Sequence, residues 1–334
     1  MILEQGKVPS VILRELFKQL EISDDRIIIG PKIGFDSAVV EVDDNIFIVS
    51  NDPSGFLPES IPVEYFAFGA VHWPASDVTV FGGKPIWMIY TIIFPPGVTS
   101  EFVSKTLKAI QLEAKRLNIA ILGGHSGIYK VVNSPVVAST VIGETDKDKL
   151  VLPSNARAGD YIVLTKSLGL EISVALSYEK EEEIEELLGT KIKRKLQRSY
   201  RELSVVKEAL TLAEKRLVNA MHDVTEGGLS VALNEIADAS RVGFKVIYED
   251  LPIDPNVKVI LDHFEIDPLN TSNTGSLIAA VPPEKIEETI SALRNVNIEA
   301  HIIGNFTENG RYMIKNGVRK RFPHPTRDNY AKIF

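Results

Sequence analysis

The 334-residue chain contains no cysteine. That excludes disulfides, zinc–thiolate centres and cysteine nucleophiles, and it fits a reducing compartment. Long hydrophobic runs are missing as well. The greasiest stretch, PIWMIYTIIFPPGV, is too short and too rich in proline to span a bilayer. The opening MILEQGKVPSVILRELFKQL interleaves charges with its apolar positions and has no secretory core. A cytoplasmic protein without a membrane partner is therefore expected. Nor is there an excess of positive charge. Lys and Arg number 37 against 45 Asp and Glu, a formal net charge of −8, so bulk electrostatics gives no reason to expect nucleic acid. An anionic substrate needs a local positive or metal-bearing site instead. The familiar signatures are absent too: no G-x-x-x-x-G-K-[ST] phosphate loop, no G-x-G-x-x-G dinucleotide turn and no G-x-S-x-G elbow.

What is present is the mix of a soluble globular protein, 44% hydrophobic and 25% charged, long enough for two domains. Residues 9–20 read as an amphipathic lead helix. SAVVEV and NIFIVS read as a hairpin turning at Asp43-Asp44. PVEYFAFGAVHWPASDVTVFGG reads as a helix pair or a helix kinked at Pro74. IWMIYTIIF is a buried strand, 99–117 a helix, IAIL a strand ending on a GGHSG turn, and PVVASTVIGE another strand. Composition shifts near 145–158, which marks a boundary. Expected divisions are a tail with helix over 1–29, a first domain over 30–150 and a second over 151–334. Beyond the boundary come the strand DYIVLTK, a charged helix surface at EEEIEELLGTKIKRK, a long helix near 200–216, FKVIYE, SLIAAV, a helix over 284–295 and IEAHIIG. Strands and helices mingle without strict alternation, so the class is α+β.

Three aspartates of the first half sit at strand or turn boundaries: Asp36 before SAVV, Asp52 after FIVSN and Asp77 before a Gly-Gly turn. Singly, each reads as a cap or turn residue. Together, and with Asp223, they suggest a carboxylate cluster for magnesium, a hard cation that bridges carboxylates to phosphate oxygens. Gly123 and Gly124 of LGGHSG form a glycine-rich turn with His125 and Ser126 as donors. In MHDVTEGGLSVALNEIADAS, Asp223, Thr225, Gly227 and Gly228 stand where an apolar helix pattern begins. A helix start offers free N–H groups, and glycines let an anion approach them. An ordinary glycine turn capped by Thr225 or Asp223 explains the same letters.

In order, GFDSAVV, SNDP, SDVTVFGGKP, GGHS, ARAGDYIVLTKSLG, DVTEGGLSVALNEIA and TGSLIAAVP resemble one superfamily, which contains aminoimidazole ribonucleotide (AIR) synthetase, thiamine-monophosphate kinase, selenophosphate synthetase and the hydrogenase-maturation protein HypE. The resemblance spans nearly the whole chain and is strongest to HypE, whose D-V-T-R-G-G-L and A-L-N-E-I-A are similar to residues 223–237. It implies a two-domain α+β PurM-like fold, with N-terminal sheets pairing into a barrel across a homodimer. It also implies an ATP and magnesium cleft. Asp36, Asp52 and Asp77 would hold metal and nucleotide, Gly123, Gly124, Thr225, Gly227 and Gly228 would line the nucleotide, and His125 and Asp223 would serve catalysis. A maturation-complex partner protein is a further implication.

The departures matter as much. The terminal cysteine of HypE, which is carbamoylated and then dehydrated to thiocyanate, is matched by Phe334, which has no nucleophile. Glu226 replaces a phosphate-friendly arginine, and Thr274 replaces a glutamate assigned there as a base. The expectation is phosphoryl transfer from ATP to an amide or carboxyl oxygen of a separate substrate. The alternatives are a turnover-deficient HypE paralogue that binds nucleotide as an assembly partner, and a kinase related to thiamine-monophosphate kinase.

Overall fold

The computed structural model describes residues 8–21, 23–56, 60–324 and 328. Pro9 stands at the N-cap of helix α1 (Ser10–Phe17), which is shorter than the 9–20 expected and buries none of its residues. Strands β1 (Ile27–Ile29), β2 (Ala38–Val42) and β3 (Asn45–Gly55) form an antiparallel meander. The hairpin turns at Asp43, whose φ of 50° is the left-handed value tight two-residue loops require.

Helix α2 (Val63–Val80) runs unbroken through Pro74 rather than as a pair. Of its residues only Glu64 and Trp73 escape burial, the mark of a helix covered on all sides. Strand β4 (Lys84–Phe94) is followed by α3 (Ser100–Arg116), whose first turn is capped by the Thr99 side chain accepting from the Phe102 N–H. Strands β5 (Ala120–Ile128) and β6 (Val136–Thr145) complete a six-stranded sheet in the order β1-β2-β3-β6-β4-β5. β4 and β5 are parallel neighbours, joined by the α3 crossover.

One expectation is corrected here. GGHSG is not a turn after a strand; it lies inside edge strand β5. The pairing slips between Met88–Ile121 and Ile89–Gly123, so Leu122 is the extra residue of a bulge. A Cβ at Gly124 would stand 1.9 Å from the Tyr90 carbonyl oxygen. Close backbone approach within the sheet accounts for that glycine.

The second half contributes β7 (Tyr161–Thr165), α4 (Leu170–Glu179), α5 (Glu181–Leu188), α6 (Thr190–Arg198), α7 (Val206–Glu214), β8 (Ala220–Asp223), α8 (Gly228–Ser240), β9 (Gly243–Ile247) and α9 (Pro255–His263). Then follow β10 (Leu277–Val281), α10 (Ile286–Asn295), β11 (Ala300–Thr307), β12 (Arg311–Lys315) and β13 (Val318–Arg321). The long helix expected near 200–216 is confined to α7. A seven-stranded sheet runs β13-β12-β9-β11-β7-β10-β8, antiparallel except for β9–β12. Its strands β8 and β10 are buried at every position. Val39, Val78 and Met88 from the first half share one continuous core with Val163, Met221 and Leu277 from the second. α2 is the seam, with the first sheet on one side and α7 and β8 on another. No helix among the described residues is long and apolar enough to cross a membrane.

Candidate functional site

The burial of α2 delivers Asp77, in its last turn, onto the inner face of the first sheet. Ser50 of β3 donates to Asp77 Oδ2 at 2.6 Å, and Ser37, just before β2, donates to the Asp77 carbonyl at 3.0 Å. Ser50 Oγ also lies 3.3 Å from the Asp36 carbonyl oxygen, so the turn before β2 is pinned to the same spot. Asp52 follows Ser50 by two residues on β3 and therefore shares its face. From the other half, β8 abuts α2 and ends on Asp223. The sheet pairing and the buried helix thus gather carboxylates that the chain separates by up to 187 positions (223 − 36).

Asp36 and Asp223 each offer a ligand atom within 4.8 Å of the other, and Asp77 feels the charges of both. Burial, and then the charges of Asp223, Asp52 and Asp36, push the Asp77 carboxyl well above its ordinary range. All four carboxylates therefore share one electrostatic neighbourhood. Among the described residues Asp223 Oδ1 is buried and has no hydrogen bond, and the cationic partner nearest to it is His222 Nδ1 at 3.6 Å. A hard, self-repelling set of oxygens with one such atom is the donor chemistry a divalent cation satisfies.

Two residues here were not singled out from the sequence. His222, the residue before Asp223, has Nε2 at 3.5 Å from Asp36 Oδ2 and 3.2 Å from Glu235 Oε2, and Nδ1 at 2.8 Å from the Asp223 carbonyl oxygen. Burial opposes its charge, but Asp36, Asp223 and Glu235 outweigh that and hold the imidazole well above its usual range. Glu235 comes from α8, where Gly34 packs closely against its side chain. A histidine flanked by an acid in a strand with no other polar residue, AMHD, was the available signal.

The glycines of the helix start behave differently from expectation. Gly227 and Gly228 have φ of 87° and 64°, which only glycine adopts readily. The Gly227 N–H donates to Asp328 Oδ2 at 2.5 Å, and the Gly228 N–H donates to the Thr225 carbonyl at 2.9 Å. Both donors are therefore engaged within the chain. Asp328 Oδ1 also accepts from the Ser272 N–H at 3.1 Å, so an internal carboxylate occupies the anion position of this helix start.

A second buried acid lies beside it. Glu171, in the first turn of α4, accepts from Ser272 Oγ at 2.5 Å and from the Thr274 N–H at 2.7 Å. Burial raises its pKa, and the hydrogen bonds from Ser272 and Thr274 only partly offset this. The folded chain therefore holds the Glu171 proton more tightly than the unfolded chain, whose reference value is 4.5. Stability falls as the pH rises from that value through the raised one. Glu171→Gln is expected to flatten this fall, measured as urea midpoints at a series of pH values. Equal slopes in both proteins would contradict it.

His125, Gly123 and Gly124 do not join the acids within one chain. Across the first sheet, Asp52 pairs with Ser139, Ser139 with Tyr90 and Tyr90 with Gly124. Three strand spacings, about 14 Å, separate the two ends of that row. His125 pairs with Thr91 and so points to the opposite face from Asp52. It is exposed and rests on Tyr129, with Nε2 3.0 Å from the tyrosine hydroxyl. Glu226 stands in the turn before α8, and Phe334 lies outside the described residues.

Two family models match the chain. That of the AIR synthase related protein, N-terminal domain, covers residues 34–145, and that of its C-terminal domain covers 157–315. A protein named for hydrogenase expression and formation in Methanocaldococcus jannaschii is 28% identical over 92% of this chain and 90% of its own length. Among solved structures, that of a HypE–HypF complex superposes with a TM-score of 0.76 at 20% identity, covering 94% of this chain and 99% of the other. A hydrogenase maturation protein HypE in complex with ATP gives 0.74 at 20% identity over 89% and 90%.

Proposed function

This chain belongs to the AIR synthase related protein family, and on that premise we propose that it binds ATP with magnesium at the seam of its two sheets and phosphorylates an amide or carboxyl oxygen of a separate substrate. The convergence of Asp36, Asp52, Asp77 and Asp223 on one neighbourhood carries this reading. Magnesium, when bound, neutralises the charge of the phosphates it bridges. The chain's own residues do the placing. Asp36, Asp52 and Asp77 hold the ion, Ser50 and Ser37 fix Asp77, and Asp223 closes the set from the second sheet. The turn at Thr225–Gly228 binds an oxyanion already, in the form of the Asp328 carboxylate, and a phosphate group takes that position only by displacing it. Asp328→Ala is therefore expected to tighten Mg-ATP binding several-fold in calorimetric titration. Unchanged affinity would show that the turn lies outside the nucleotide site. His125 has no role in this constellation within a single chain.

Self-carbamoylation is not part of the reading, because none of the 334 residues is a cysteine that could carry the group. The test is calorimetry with Mg-ATP alongside an assay for ADP release with carbamoyl and carboxylate acceptors. Binding with acceptor-dependent ADP release supports the reading, and absence of binding overturns it. Binding without turnover on any acceptor favours a nucleotide-binding assembly partner, the role to which Glu226 and Thr274 point. A complex with another maturation protein belongs to either version.

Homodimerisation is the second part. Trp87 and Ile89 leave an apolar patch exposed on the face of the first sheet opposite α2 and α3, with exposed Leu122 nearby on β5, the edge strand among the described residues. A second copy covering this face would close the two sheets into a barrel. Ile89→Lys with Leu122→Lys is expected to halve the mass measured by light scattering. A wild-type protein that is already monomeric at micromolar concentration would refute the dimer.

A further inference from the structure

Segment 311–327, RYMIKNGVRKRFPHPTR, carries six Lys and Arg and no acid, in a chain whose formal net charge is −8. The structure gathers much of this charge on one edge of the seven-stranded sheet. Among the described residues β13 pairs with β12 alone, and all four of its residues are exposed. The Phe322 N–H donates to the Arg311 carbonyl across this hairpin. Residues of an antiparallel pair face their partner alternately, so the backbone N–H and C=O of Arg319 and Arg321 point outward, away from β12. These groups are a template for an incoming extended chain.

A cavity of about 1010 Å³ opens beside the strand, bounded also by the end of α8 and the turn from β11 to β12. Arg241, Arg319, Lys320, Arg321 and His324 line it. Arg319 lays its guanidinium over Tyr312, with Cζ 3.4 Å from the ring centroid, and among the described residues Arg241, Lys320 and Arg321 have no ion pair. Of the two acids in the wall, Glu308 and Asp238, the second is already paired with Arg311. Cations on an edge strand also keep copies of a protein from pairing, but that task needs no cavity beside them.

We propose that β13 and this cavity bind an extended acidic segment of a partner protein, which adds to the sheet as a further strand. Strand side chains alternate, so acids at every second position meet Arg319 and Arg321. The partner is a different protein, because this chain has no such segment to spare. Its run EEEIEE is folded into α5, and the residues outside the described ones contain no run of acids. Nucleic acid would use the charges and leave the outward N–H and C=O groups unpaired. The surface needs no nucleotide and stands whether or not the chain binds ATP.

The test is fluorescence anisotropy of the full chain at low salt with a short labelled peptide that alternates glutamate and valine. Saturable binding is expected, weakened about tenfold in Arg319→Glu with Arg321→Glu and falling as salt is added. Circular dichroism and melting report whether that variant folds. A second arm needs no variant. The fully N-methylated peptide keeps the charges and loses every backbone donor, and it is expected to bind the wild type about tenfold more weakly. Absence of binding, undiminished affinity in the folded variant, or equal affinity for the N-methylated peptide would overturn the proposal. So would tighter binding of a single-stranded RNA of equal charge.

Discussion

Asp77→Asn is expected to weaken Mg-ATP binding by about 100-fold, close to 2.7 kcal/mol, while the metal-free protein melts higher than wild type. Both directions follow from one geometry. Asp77 is buried among the charges of Asp223, Asp52 and Asp36, which disfavour its ionised form. Asparagine removes that repulsion and still accepts the hydrogen bond from Ser50. The magnesium–phosphate site, by contrast, loses a hard anionic ligand that an amide replaces poorly. Calorimetry read beside melting curves in EDTA makes the distinction. Had Asp77 a structural role alone, melting would drop and affinity would hold.

Gly228→Ala is expected to destabilise the fold by about 3 kcal/mol, with a correspondingly lower urea midpoint. The added Cβ would stand 2.4 Å from the Thr271 carbonyl oxygen, at a φ of 64° that alanine adopts at a cost. Gly227→Ala would meet Val231 Cγ2 at 2.2 Å and Val231 Cβ at 2.8 Å; rotation relieves only the first of these, so it too is expected to destabilise the fold. Equal stability of Gly228→Ala and wild type would mean that the α8 start can shift, and the placement of Asp223 beside it would lose its support.

The adjacent glycines therefore serve packing first. The letters GG could announce φ values and close approach, but not whether a ligand, a loop or the chain's own acid comes close. Asp328 lies 101 residues from Gly227, and nothing in either neighbourhood links them. The acids were legible for a better reason. Each stood beside a short alternating strand or at the end of a long apolar helix, and such elements pair in few ways. GGHSG misled because a bulge and a turn use the same residues, and only strand register shows that His125 and Asp52 point to opposite faces. His222 is not legible in the sequence because a buried strand reads as core, and its partners, Asp36 and Glu235, come from distant elements. Pro74, a helix breaker in isolation, makes a helix pair or a kinked helix the natural reading of 62–83. In the structure both flanking turns are buried, and packing keeps them in one continuous helix.

A crystal structure of the chain with magnesium and a nonhydrolysable ATP analogue puts the central claim to the most direct test. Triphosphate density reaching the cation between Asp36, Asp52 and Asp77, with Asp223 beside it, is the outcome expected. Nucleotide bound away from the seam, or those carboxylates still packed together with no ion between them at saturating magnesium nucleotide, would contradict it.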